Sequence, residues 1–151
     1  MFLGEFEHTL DNKNRVILPS RFRAEFQPGG VLTRGLDGCI AAYTKITFAS
    51  FSARIGSLDA FSEEARRLQR YFFSDANPCL PDSQGRVTLP VGLLRHATID
   101  KYIVIAGIYD HLEIWDQKTW TTTVGDGDSS TIEEIAERLA SRPDENTSHH
   151  E

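Results

Sequence analysis

The sequence predicts a mainly β fold with α-helices, in which two pseudo-symmetric units are fused in one chain with helices at their junction. The leading observation is a nine-residue stretch that occurs twice. It reads Asp11-Asn12-Lys13-Asn14-Arg15-Val16-Ile17-Leu18-Pro19 and, 71 positions on, Asp82-Ser83-Gln84-Gly85-Arg86-Val87-Thr88-Leu89-Pro90. The echo continues beyond the stretch: Leu32-Thr33-Arg34-Gly35 matches Val104-Ile105-Ala106-Gly107, and Ile40-Ala41-Ala42-Tyr43 matches Leu112-Glu113-Ile114-Trp115, at an offset grown to 72. A repeat of that length is a whole supersecondary unit. Between the copies the apolar residues change to helical spacing.

Taken in order, Glu5 to Leu10 alternates loosely and reads as a strand leading into the first turn, with Val16 to Leu18 as the return strand. Pro19 suits a helix entry, and Ser20 is positioned to cap a short helix over 20–26 that places Phe22 and Phe26 on one face. Pro28-Gly29-Gly30 stops it. Val31 to Arg34 and Cys39 to Tyr43 read as strands joined by the turn Gly35-Leu36-Asp37-Gly38. Phe48, Phe51, Ile55 and Leu58 recur at helical spacing, as do Phe61, Ala65, Leu68 and Phe72 after a break at 57–60. Ser62, Glu63 and Glu64 at the head of the second helix, with Arg66, Arg67 and Arg70 towards its end, complement the helix dipole. These three arginines read as a solvated face.

The second half repeats the plan. Cys79-Leu80 leads into its turn, Val87 to Leu89 returns, and residues 90–97 form a short helix. Strands follow at 102–106 and 112–115. The first of these is continuously apolar, which predicts cover on both faces. After Thr123 the composition changes. Residues 125–130 read as a flexible linker. Thr131 with Glu134 forms a capping box ahead of the apolar stripe Ile132, Ile135, Ala136 and Leu139, and the rest through Glu151 reads as disordered.

Composition narrows the class. A chain of 151 residues holds one ordinary domain or two small halves sharing a core. Cys39 and Cys79 stand alone and read as small apolar residues of a reducing compartment. There is no basic-then-apolar leader and no apolar run of membrane-spanning length, so cytoplasm is expected. The net charge of −6 resides in the tail, where residues 124–151 carry eight acidic side chains and two arginines. The remaining body is neutral, and a neutral body binds DNA if its basic groups cluster on one face.

The turns are the candidate site. Asn14 and Gly85 hold the same position in the two copies, and these residue types accept a positive φ most readily. Asp11 and Asp82 head the turns, where a carboxylate accepts hydrogen bonds from the backbone just ahead; Asp11, Asn14, Asp82 and Gly85 are therefore assigned to turn shaping. Arg15 and Arg86 have two readings. Each can pair with the Asp four positions back, although exposed pairs of this kind stabilise little. Alternatively each guanidinium forks onto guanine or phosphate oxygens, the chemistry for which Arg is best suited. Contact with DNA is the preferred reading. Lys13 and Gln84, at equivalent mid-turn positions, are either phosphate or base-edge contacts or simply solvent-facing residues. Arg21 and Arg23 lie on the short helix opposite Gly92 and Leu94 of the second half. Arg21 is a DNA contact or an inter-subunit salt bridge. Phe22, Phe72 and Trp115 are core or subunit-interface candidates.

Several ordered motifs together resemble the MraZ family. They are the opening Met1-Phe2-Leu3-Gly4-Glu5-Phe6-Glu7-His8-Thr9-Leu10-Asp11, the two Asp-x-x-x-Arg turns, Leu32-Thr33-Arg34-Gly35-Leu36-Asp37-Gly38-Cys39, Gln69-Arg70-Tyr71-Phe72-Phe73 and Leu112-Glu113-Ile114-Trp115-Asp116. That bacterial family comprises transcriptional regulators encoded at the head of the division and cell-wall gene cluster. The resemblance spans roughly residues 1–120, with no counterpart for the tail. It implies two AbrB/SpoVT-like swapped-hairpin repeats, at 1–56 and 77–123, with a connecting helix at 57–76 and an acidic, mostly flexible tail at 124–151. It further implies a nucleoid-associated homo-oligomeric ring that binds direct repeats in double-stranded promoter DNA. On this resemblance the DNA-contacting turns are carried over onto Asp11 to Arg15 and Asp82 to Arg86, where Asn14 replaces the family's usual glycine.

An enzyme is the competing class. The five histidines are scattered, and no metalloprotease, serine-hydrolase, P-loop or dinucleotide motif is present. No catalytic residue, metal, cofactor, membrane or small-molecule substrate is assigned. A third reading is an antitoxin-like interaction module whose acidic tail binds a protein partner; two fused units argue against it and the tail argues for it.

Overall fold

The computed structural model describes residues 1–125 and 129–142. It divides into two compact units, Met1–Thr119 and Trp120–Glu151. The first half of the larger unit runs β1 (Phe2–Thr9), β2 (Arg15–Ile17), α1 (Ser20–Phe26), β3 (Gly30–Arg34) and β4 (Ile40–Thr44). Helices α2 (Lys45–Gly56) and α3 (Glu63–Phe73) follow. The second half then runs β5 (Asn77–Cys79), β6 (Arg86–Thr88), α4 (Val91–His96), β7 (Tyr102–Tyr109) and β8 (His111–Asp116), and α5 (Gln117–Trp120) comes next. The antiparallel sheets and the two fused units are those expected, although helix takes a larger share of the described residues than strand.

Strand order explains why the halves are inseparable. The main sheet runs β1-β7-β8-β4-β3-β5, antiparallel throughout, and β2 pairs with β6 in a separate two-stranded ribbon. Exchanging β1 with β5, β3 with β7 and β4 with β8 maps this order onto its own reverse, so a pseudo-two-fold axis passes between β4 and β8. The first strand of each half has crossed to the other: β1 lies on β7, and β5 lies on β3. A three-residue strand such as β2 or β6 is too short to be stable in isolation, and the two find each other across the axis.

The core lies between the sheet, the ribbon and the short helices. Phe22 and Phe26 of α1 are both buried, with Leu18, Leu32, Leu93 and Leu112 fully enclosed beside them. Successive residues Ile103 to Ala106, which point to alternate faces of the sheet, are all buried, so both faces of the strand are covered there, whereas Tyr102 at the strand's start is exposed. Phe2 meets Phe22 edge-on at 5.2 Å, and Phe6 meets it at 5.5 Å, so the first strand is anchored on α1 by aromatic contacts.

Local chemistry departs from expectation at a few points. Pro19, not Ser20, occupies the N-cap of α1 and no side chain caps it, because Ser20 is already the first helical residue. The break after α2 runs to Ser62, whose hydroxyl accepts from the Ala65 N–H. Phe61 is thereby left in a turn and 96% exposed instead of on the helical stripe, and Leu68 is exposed as well. In the C-terminal unit α6 spans Ser129–Ala140, so Thr131 lies inside the helix and cannot act as its cap. Ile132, Ile135 and Leu139 are exposed. Residues 126–128 of the expected linker and residues 143–151 of the expected disordered end lie outside the described residues.

At the β7–β8 end, His111 stacks on Tyr43 at 5.0 Å, and Tyr43 stacks on Phe51 of α2 at 4.8 Å. Nδ1 of His111 lies 2.7 Å from Asp110 Oδ1, and Nε2 lies 3.6 Å from Glu113 Oε2. Burial opposes charging the ring, but the hydrogen bonds to Glu113 and Asp110 outweigh it and raise its pKa above the ordinary 6.5. A raised folded pKa contributes stability that is complete below the unfolded value and is lost as pH rises through the folded one. His111 therefore contributes a fall in melting temperature as pH is raised from about 6 to about 8, against the rise contributed by His8, whose pKa is lowered by burial and by Arg23. The slope of melting temperature against pH should be less negative, or more positive, in His111→Gln, and an unchanged slope in that variant would show that His111 makes no such contribution.

Candidate nucleic-acid interface

Both turns close through the same set of local bonds. Asp11 accepts at its carbonyl from the Asn14 N–H (3.1 Å), and Asp82 accepts from the Gly85 N–H (2.9 Å). Oδ1 of Asp11 accepts from the backbone N–H of Lys13 (2.9 Å) and Arg15 (2.8 Å), while Oδ1 of Asp82 accepts from those of Gln84 and Arg86 (2.9 Å each). Asn14 and Gly85 take up φ of 58° and 78°, the left-handed region that lets the chain reverse. The backbone N–H of Arg15 holds the Asp11 carboxyl below the ordinary carboxylate range, and that of Arg86 does the same at Asp82. Both therefore stay ionised until the solution is well into acid.

Each carboxylate also accepts from the Arg side chain, with Arg15 Nε 2.8 Å from Asp11 Oδ2 and Arg86 Nε 2.7 Å from Asp82 Oδ2. Pairing with Asp and outward presentation, alternatives in the sequence, are compatible here. The bond uses Nε and fixes the plane of the guanidinium, and among the described residues no protein group is bonded to the Nη atoms of either arginine. Those are the atoms that fork onto a guanine edge or a phosphate.

The ribbon brings the two turns together. Arg15 faces Thr88, Val16 faces Val87 and Ile17 faces Arg86. Side chains alternate across a strand, so Val16 and Val87 are buried while Arg15, Ile17, Arg86 and Thr88 share the opposite face. The turns brace one another as well: the Leu18 N–H donates to the Gly85 carbonyl (2.9 Å), and the Leu89 N–H donates to the Asn14 carbonyl (2.8 Å). The two guanidiniums are thus mounted on one rigid, pseudo-symmetric platform. Lys13 and Gln84 are exposed at its turn tips.

The α1 arginines separate. Arg21 turns towards β1, its guanidinium 5.4 Å from the centre of the Phe6 ring. Arg23, which had no assignment of its own, lies against the second turn: its Nε donates to the Leu18 carbonyl (2.9 Å), and a Cβ at Gly85 would meet its side chain at 2.4 Å. Its distance in sequence from Gly85 hides this contact from any local pattern. Arg34 pairs with Asp75 at 3.6 Å. Arg66, Arg67 and Arg70 sit on α3, and Arg66 donates to the Ala60 carbonyl at 2.9 Å. Phe22, Phe72 and Trp115 are all buried within the chain.

Among the described residues no cluster of His, Cys, Asp and Glu is placed to hold a metal, and no helix is long and apolar enough to cross a membrane. The family described as "MraZ protein, putative antitoxin-like" matches the chain twice, over residues 1–71 and 72–142. Curated relatives carry the name of a transcriptional regulator, not of an enzyme. Transcriptional regulator MraZ of Limosilactobacillus fermentum is 40% identical over 136 residues, covering 90% of this chain and 94% of that protein. Its namesake from Caldicellulosiruptor saccharolyticus is 37% identical over 139 residues, covering 92% and 96%. The one from Natranaerobius thermophilus is 40% identical over the same length and shares. The resemblance traced through residue 120 thus extends to residue 142 and takes in α6, which does have a family counterpart. With a doubled family match spanning nearly the whole described chain and repeats interleaved strand by strand, the chain belongs to the MraZ family.

Proposed function

We propose that the protein is a sequence-specific DNA-binding transcriptional regulator that acts on repeats in the promoter of its own division and cell-wall gene cluster. It engages DNA through the two Asp-x-x-x-Arg turns. The observation that carries this reading is the ribbon face, where Arg15 and Arg86 are each clamped through Nε and offer their remaining N–H groups outward. A pre-ordered guanidinium gives up little rotamer freedom when it binds. The names of the relatives support the regulatory role.

One protomer brings few cations to the duplex, so tight binding comes from a homo-oligomeric ring whose copies engage spaced direct repeats together. Such linkage raises avidity by roughly 10²–10⁴ without new contacts. Binding of this kind places the protein at the nucleoid. A second reading, an antitoxin-like module, rests on α6, which exposes Ile132, Ile135 and Leu139 as a partner helix would.

The test is a mobility-shift assay on duplex DNA from immediately upstream of the protein's own gene, against a scrambled duplex of equal length. Preferential retardation of the upstream duplex is expected, in discrete steps as repeats fill. Equal retardation of both would leave a non-specific binder, and none at all would favour the antitoxin-like reading.

A further inference from the structure

We propose that Arg23 is a DNA-phosphate contact belonging to the second turn, supplied in space by α1 of the first half. This rests on the reading of the turns as the DNA-binding face. The two turns are alike in backbone and unlike in charge. Within the first, Asp11, Lys13 and Arg15 leave one net positive charge, whereas Asp82 and Arg86 cancel within the second, where Gln84 replaces the lysine. A neutral turn has little pull on a phosphate.

The fold corrects this imbalance. Arg23 packs over Gly85, in the space where a Cβ would sit, and its Nε is held by the Leu18 carbonyl at 2.9 Å. Leu18 itself is bonded through its N–H to the Gly85 carbonyl, so one local network seats both the turn and the arginine. Among the described residues no carboxylate pairs with Arg23. Together with burial, its charge holds the nearby His8 ring below its ordinary pKa. The counterpart of Arg23 in the second half is Leu94, buried in the core, so that position supplies no cation to the first turn, which has Lys13. Each turn thereby carries one guanidinium clamped by Asp and one further cation. The arrangement also accounts for glycine at the reversed position of the second turn: Gly85 leaves room for Arg23.

The experiment measures affinity for the upstream duplex and for its scrambled control over a salt series, using the full chain carrying Arg23→Leu, Arg23→Lys or Arg86→Ala. Arg23→Leu, which copies Leu94, should weaken binding to both duplexes alike. Its log–log salt slope should fall by about 0.9 per DNA-bound copy, as for one lost phosphate contact. Arg23→Lys keeps the charge but loses the Nε donor, and should keep the slope. A purely structural arginine would show the opposite pattern, with Lys as damaging as Leu and the slope unmoved, and that result overturns the proposal. If Arg86→Ala weakens binding and Arg23→Leu does not, Arg23 alone is excluded. If neither has an effect, the turns are not the DNA face and both readings fall. Should Arg23→Leu fail to fold, Arg23→Gln, which retains an N–H donor without charge, is read by the same criteria.

Discussion

The Arg15→Ala/Arg86→Ala double variant is expected to lose specific DNA binding while retaining its fold and its assembly. Both side chains lie on the outer face of the β2–β6 ribbon, opposite the buried Val16 and Val87, so their removal opens no cavity. The turns retain the backbone bonds that shape them, because Asp11 and Asp82 still accept from the N–H groups at positions 13 and 15 or 84 and 86. If each arginine reads a base, its loss costs roughly 1–3 kcal/mol of discrimination, or about 5- to 150-fold per contact. If it contacts phosphate, the salt slope flattens by about 0.9 per contact instead. In the proposed ring either loss would be multiplied, since one substitution removes the group from every copy. Operator affinity at several salt concentrations, with size-exclusion chromatography to follow assembly, distinguishes these outcomes. Wild-type affinity and slope in the double variant would reduce the Asp–Arg pairs to local staples.

Phe2→Ala is expected to give the largest loss of stability among single substitutions in β1, about 3–5 kcal/mol. Phe2 is 1% exposed and lies between Phe22 at 5.2 Å and Phe26 at 5.5 Å. Its strand is at the sheet edge and is hydrogen-bonded only to β7, so side-chain packing has to hold its start. A loss of that size is a large fraction of the roughly 5–15 kcal/mol available to a domain. The neighbouring Leu3 is 56% exposed, and Leu3→Ala should stay within about 0.5 kcal/mol of wild type. Thermal or urea unfolding at matched protein concentration compares the two, since the proposed assembly would add a concentration-dependent term. DNA binding should weaken in Phe2→Ala as well, because β1 leads directly into the first turn. Equal stability of the two variants would show that the aromatic cluster is not the anchor of β1.

Most of what depends on bonds within about five residues was legible in the sequence, the exceptions being the caps of α1 and α6 and the exposure of Phe61. Each Asp-x-x-x-Arg turn was legible because its carboxylate reaches only as far as the fourth residue on, and because Asn14 and Gly85 are the types that adopt a positive φ. Helices α1 to α4 and the strands other than β5 were legible for the same local reasons, through spacing and apolar runs. The tertiary structure alone decided which strands pair. The crossing of β1 to β7, of β5 to β3 and of β2 to β6 depends on partners far apart in the chain, and similar apolar strands offer no local mark of their neighbour. It also decided that the space above Gly85 belongs to Arg23. Repetition in the sequence implied two turns of one backbone shape, with Lys13 in the first and Gln84 in the second. The tertiary structure adds an arginine of α1 to the second turn, since only packing can bring a charge from one half to the turn of the other.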